Sequence, residues 1–127
     1  MSGASAVAEV PGRLETIFLN NENRLSPNGI YGVNIYSLGV PHTVIVDDWL
    51  PLRHNGIELM TLFAQVGNDH SIWGPILEKV FAKYYGNYSH LVGGNPVSSV
   101  KTLTGAPYEL LWHRNGKQYG YSNYGQE

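Results

Sequence analysis

The stretch "SIWGPILEKVFAKYYG", residues 71–86, decides the fold. Ile72, Ile76, Val80 and Tyr84 recur every four residues, and Trp73, Leu77 and Phe81 form the adjacent row. Apolar residues at that period make one broad face of an α-helix, which must be buried against other elements. Asp69 or Ser71 is placed to cap its start, Lys79 and Lys83 lie toward the negative end of its dipole, and Gly86 stops it. Pro75 belongs in the first turn, because further in its ring would break the hydrogen-bond ladder. Glu78 and Lys79 fall at the solvent edge of the apolar face.

Upstream the period changes from helical to alternating. In "IYGVNIYSL" (30–38), Ile30, Gly32, Asn34 and Tyr36 fall on one side and Tyr31, Val33, Ile35 and Ser37 on the other, a strand pattern rich in β-branched and aromatic residues. Gly39-Val40-Pro41 reads as the turn, and "HTVIVDD" (42–48) as the partner strand of a hairpin. Asn55-Gly56 marks another turn, followed by a third strand within 54–65. "RLETIFLN" (13–20) suits either one or two helical turns or a short strand, and 20–29 is a loop ending in Pro27-Asn28-Gly29.

Downstream, "NYSHLVGGN" (87–95) is a short helical turn running into a double glycine. "NPVSSVKTLTG" (95–105) has Asn95 as N-cap, Pro96 at the first helical position, Val97, Val100 and Leu103 facing inward, and Gly105 as stop. "YELLWH" (108–113) is a final strand. The expected architecture is α+β: a small antiparallel sheet, one long amphipathic helix and one or two short helices. Residues 1–12 read as a flexible arm, 13–113 as the folded module, and 114–127 as a tail that is flexible or ordered by a partner.

Composition narrows the functions. At 127 residues the chain is one domain. Charged residues are only 14% and tyrosines number nine, which suits a surface partly covered by a protein partner. The net charge of −2, with Lys and Arg dispersed, excludes a basic patch for nucleic acid. There is no cysteine, so these residues hold no disulfide framework, no thiolate zinc site and no thiol nucleophile. "MSGASAVAEVPGRLE" is not a secretory signal, and no run is long and apolar enough to span a membrane, so an intracellular, cytoplasmic and unsecreted chain is expected. The sequon "NYS" at 87–89 is then incidental.

No catalytic constellation emerges from the residues themselves. Asp47 and Asp48 are adjacent at the end of a strand, where consecutive side chains point to opposite faces, so they are expected to have separate, structural partners. His42, His54, His70, His90 and His113 make no His-x-x-His or His-x-x-x-His pair. "NDHS" (68–71) reads as a capping loop. No serine sits in a Gly-x-Ser-x-Gly elbow, and Ser98 and Ser99 fall on a helix surface. "LVGGNP" lacks the length and lysine of a phosphate loop, and its bare backbone suits close approach of a peptide or another backbone.

The order of "NGIYGVNIYSLGVPHTVIVDDWLP", "SIWGPILEKVFAKYYGNYSHLVGGN" and "LTGAPYELLW" resembles the catalytic core of calpain-type cysteine proteases, over about residues 13–112. That family ends a strand pair in Val-Asp-Asp-x-Leu-Pro and follows it with a Trp-x-x-Leu-Leu-Glu-Lys-Ala-Tyr-Ala-Lys helix, then Gly-Gly and Thr-Gly. Trp73, Leu77, Glu78, Lys79, Ala82, Lys83, Gly86, Tyr88, Gly93, Gly94, Thr104 and Gly105 match in register, and the first stretch looks most like calpain-like proteins of ciliates and other protists. The resemblance implies structural roles for Asp47, Asp48, Trp73, Glu78 and Lys79. It also implies a peptide-binding backbone at Gly93 and Gly94.

The resemblance places the family's catalytic Cys upstream of these strands and its His and Asn in a second lobe after residue 127. The family also binds calcium in this lobe, with an acidic ligand two residues before the helix tryptophan. Here that position is Ser71, so no cofactor is expected, and Asp69 is the one substitute ligand. Two readings follow. The favoured one is a free-standing degenerate domain acting as a non-catalytic structural or interaction subunit, since "MSGASAV" reads as a start. The other is a piece of a complete calcium-dependent endopeptidase, forming one wall of its substrate cleft.

Overall fold

The computed structural model describes residues 2–20, 24–109, 112–114 and 117–119. Helices α1 (Ser2–Ala8) and α2 (Arg13–Ile17) lead into the hairpin β1 (Ile30–Ser37) and β2 (Val40–Asp47). A short hairpin, β3 (Leu52–His54) and β4 (Leu59–Thr61), precedes helix α3 (Trp73–Tyr85). A 3-10 turn (Tyr88–Leu91), helix α4 (Pro96–Thr104) and the strands β5 (Trp112–Arg114) and β6 (Lys117–Tyr119) complete the order. The three strand pairs are separate two-stranded antiparallel sheets, so the class is α+β as the sequence implies.

The core lies between the β1–β2 hairpin and α3. Tyr31, Val33 and Ile35 of β1 are buried, as the alternation requires, and meet Val46 of β2 and Ile76, Leu77, Val80 and Phe81 of α3. Burying each such side chain contributes roughly 1.5–3 kcal/mol. Pro75 is the third residue of α3, within the first turn. Asn95 caps α4 by accepting from the Val97 amide at 2.9 Å, and Gly105 ends that helix. Leu103 is buried and Val100 packs at the edge of the same cluster.

Several expectations are corrected. The segment read as a flexible arm contains α1, whose Gly3, Ala4 and Val7 are buried and which packs on α4. Its small side chains bury by close approach of backbones, which leaves no large apolar stripe in the sequence. The β1–β2 turn is Leu38-Gly39, both at positive φ, and Val40 and Pro41 already pair with Ser37 and Tyr36. Asn55-Gly56 does turn the chain, but it joins two strands, and the first of them begins at Leu52. Neither Asp69 nor Ser71 caps α3: its N-cap is Ile72, with no side-chain cap. "RLETIFLN" is partly each alternative, a short helix followed by a single bridge from Phe18 to Val33.

The hairpin β5–β6 pairs Trp112 with Tyr119, His113 with Gln118 and Arg114 with Lys117, and so enters the segment expected to be a tail. Residues 115, 116 and 120–127 of that tail, and 110 and 111 of the strand expected over 108–113, lie outside the described residues. Among the described residues no helix is long and apolar enough to cross a membrane.

Candidate functional site

The two adjacent aspartates diverge. Asp47, the last residue of β2, accepts from the Trp49 amide at 2.9 Å and from the Lys79 ammonium. These two donors, the lysine first, hold its carboxyl below the ordinary aspartate range. Asp48 turns the other way and lies over Gly29, where a Cβ would come within 2.7 Å of its carboxylate. Gly29 sits at φ +63°, so both space and backbone conformation require glycine. Its carbonyl accepts from the Asp48 amide at 3.0 Å.

Helix α3 reaches back to this strand end with two lysines one turn apart. Lys79 also donates to the Trp49 carbonyl at 2.6 Å, and Lys83 donates to the Ile45 carbonyl at 2.7 Å. Lys79 is thus turned onto the hairpin and not to the solvent edge, with only 20% of its side chain exposed. A four-carbon stem can lie along an apolar flank while its head bonds at the far end, which periodicity cannot reveal. Glu78 is turned inward as well: its Oε2 accepts from the Ala64 amide at 2.8 Å and ties the segment after β4 to α3.

Trp73 opens α3 and is half-buried against the core. With Leu14, Phe18, Tyr31 and Ile76 it lines a cavity of about 530 Å³, with Asp69 at its rim. The loop before Trp73 is tight: His70 has φ +62° and its amide bonds the Gly67 carbonyl at 2.8 Å. Asp69 accepts from the Ser71 amide at 3.0 Å, and the Ser71 hydroxyl and amide together hold its carboxyl below the usual range. Calcium takes six to eight oxygen ligands. Among the described residues no group of three His, Cys, Asp or Glu could hold a metal ion.

The double glycine lies on the other side of α3. Asn87 caps the 3-10 turn by accepting from the His90 amide at 3.1 Å, and the His90 Nδ1 donates to the Tyr85 carbonyl at 2.7 Å. Asn87 is therefore a structural residue within its sequon. Beyond the turn Val92, Gly93 and Gly94 are exposed, and Gly93 adopts φ +77°. No atom lies within 4 Å of where a Cβ would stand on either glycine. This leaves a strip of accessible backbone directly before α4. Gly94, Asn95 and Pro96 border a cavity of about 320 Å³ whose far wall is Phe81 and Tyr85 of α3.

Of the expected structural residues, Asp47 and Lys79 meet where β2 ends against α3, whereas Asp48 lies over Gly29, Glu78 bonds Ala64, and Trp73 lines the cavity beside α2. Sequence reasoning missed Lys83 as a tether to β2, and Asn20, whose side chain accepts from the Gly32 amide at 3.0 Å. His54 accepts from the Gly56 amide at 3.0 Å in its own turn.

Comparison with known proteins agrees with this geometry. The profile of the calpain family cysteine proteases matches residues 1–120. Calpain-7 of Sus scrofa is 31% identical over 105 residues, covering 82% of this chain and 12% of its own length. Calpain-5 of Caenorhabditis elegans is 35% identical over 83 residues, 65% of this chain and 12% of that protein. The calpain-type cysteine protease DEK1 of Zea mays is 33% identical over 108 residues, 85% of this chain and 5% of that protein. The chain therefore spans an eighth or less of these relatives. They come from animals and a plant and do not bear on the likeness to ciliate proteins.

Proposed function

This chain belongs to the calpain family of cysteine proteases, and from that premise we propose that its 127 residues are a non-catalytic, partner-dependent module that presents Gly93–Gly94 to extended peptide. The observation that carries the reading is the bare backbone at that strip, open on all sides where a Cβ would stand. An extended segment can pair with such an edge through main-chain hydrogen bonds, while side chains enter neighbouring pockets. Lys79 and Lys83 fix α3 to the end of the hairpin, and Glu78 fixes it to the segment after β4.

Chemistry supports the non-catalytic part. A cysteine protease needs a thiolate within hydrogen-bond reach of an imidazole. None of these residues is cysteine, so a thiolate at this strip must come from another polypeptide segment. Exposed apolar side chains at Leu38, Trp49, Ile57 and Val92 support a protein partner. An intracellular, cytoplasmic setting belongs to the same proposal.

The second reading makes this chain one wall of the cleft of a complete calcium-dependent endopeptidase. It is favoured by the small share of each relative that the chain spans. The experiment is to assay the purified chain on a fluorogenic peptide with and without calcium, and to map peptide binding by amide chemical shifts. No turnover is expected, with shifts centred on Val92–Asn95. Turnover by the chain alone overturns the proposal. Turnover that appears only on adding the remaining core segments selects the second reading.

A further inference from the structure

Two hydroxyls in the described interior have no protein partner, Thr61 Oγ1 and Tyr88 Oη. Thr61 ends β4 and Tyr88 opens the 3-10 turn, yet both line one small space, with Glu78 of α3 as its third polar wall. The rest of the lining is apolar, including Leu50, Phe63 and Pro75. The volume of this space is about 10 Å³. A single water needs roughly 10–15 Å³ measured in this way, together with two to four polar partners.

The groups are held in place around that space. The Tyr88 ring stacks on Phe63 with centroids 4.9 Å apart and planes at 12°. Glu78 spends Oε2 on the Ala64 amide, which leaves Oε1 as an acceptor. Burial, then the charges of Glu78 and Asp47, push the Tyr88 phenol up, so it keeps its proton and remains a donor.

We infer that this space is a specific site for one buried water, bonded to Tyr88 Oη, Thr61 Oγ1 and the free oxygen of Glu78. Each of the three bonds has a donor and an acceptor: the phenol and the threonine hydroxyl donate to the water, and the water donates to the carboxylate. Such a water joins β4, α3 and the turn that leads to Gly93–Gly94, three elements that share no backbone hydrogen bond at this point. Buried waters of this kind bind about three groups and are costly to remove.

The test is Thr61→Val and Tyr88→Phe, singly and together, in the full chain, with unfolding followed in denaturant. With the water present, each substitution strips one of its partners and raises the unfolding constant by about five- to tenfold. The double variant then falls short of the product, because both act on the same molecule. In a dry cavity the same substitutions delete orphaned hydroxyls and lower the unfolding constant, which overturns the inference. A high-resolution structure gives an independent reading. A density peak about 2.7–3.2 Å from both hydroxyl oxygens is expected. An empty cavity, or a direct Tyr88–Glu78 bond, overturns it.

Discussion

Gly3→Ala and Gly74→Ala add the same methyl group to two helices and should move stability in opposite directions. At Gly3 of α1 the new Cβ would stand 2.2 Å from the Pro96 carbonyl oxygen and 2.8 Å from Ser99 Cβ. Carbon–oxygen contacts rarely close below roughly 3.3 Å, so α1 and α4 must part by about 1 Å. The obstacle is backbone and cannot rotate aside. Overpacking of this kind costs about 1–3 kcal/mol, against a helix-propensity gain of up to about 1 kcal/mol. The net expectation is a loss of about 1–2 kcal/mol. At Gly74 in the first turn of α3 the nearest atom is the Gln65 carbonyl oxygen at 3.9 Å, an ordinary contact. Only the propensity term remains, a gain of up to about 1 kcal/mol. Denaturant midpoints at unchanged slope measure both. If Gly3→Ala proves as stable as the parent, the close approach of α1 to α4 is wrong, and with it the reason the first residues are small.

Two further outcomes follow from the hairpin. Asp47 and Asp69 both hold their carboxyls below the ordinary aspartate value of 3.8, so the stability they contribute is present above that pH and lost as pH falls below it. Asp47→Asn should lower the melting temperature at neutral pH and flatten the acid limb of the stability curve; an acid limb as steep as the parent's would show that the Lys79 pair contributes nothing. Leu38 occupies a left-handed turn position at φ 50° while 94% exposed, so it carries backbone strain without packing in return. Leu38→Asn should therefore stabilise by about 0.5–1 kcal/mol in thermal unfolding, and destabilisation would reveal a contact made by the leucine.

What the sequence made legible was whatever depends on period. The apolar rows of α3, the alternation in β1 and the Asn95-Pro96 start of α4 fix their elements through local geometry, and the tertiary structure agrees with them. What it hid depends on distance. Gly3 and Ala4 bury because α4 comes close, and no local pattern announces that. Lys79 and Lys83 carry a helix-surface signature, yet their heads bond to two backbone carbonyls and a carboxylate thirty or more residues away in the chain. Asp69 has the residue type of a cap but bonds the amide two residues on, because His70 bends the loop before the helix begins. The candidate site divides in the same way: Gly93 and Gly94 were visible as missing side chains, whereas the lysine contacts between α3 and β2 could be seen only once folded.

The lysine on Ile45 has one more consequence. Ile45 faces Gly32 in the hairpin register, and the Gly32 carbonyl points away from β2, toward the Leu19 amide. By the antiparallel pattern the Ile45 carbonyl points out of the pair on the opposite side. It would be an open rung for any strand sliding alongside β2, and Lys83 already occupies it. Pro41 lies on the same outward phase and offers no N–H there. A two-stranded ribbon with β-branched residues is by nature adhesive at its rim. This one carries a cation and a proline at that rim, which steers its associations away from sheet extension and toward faces and loops.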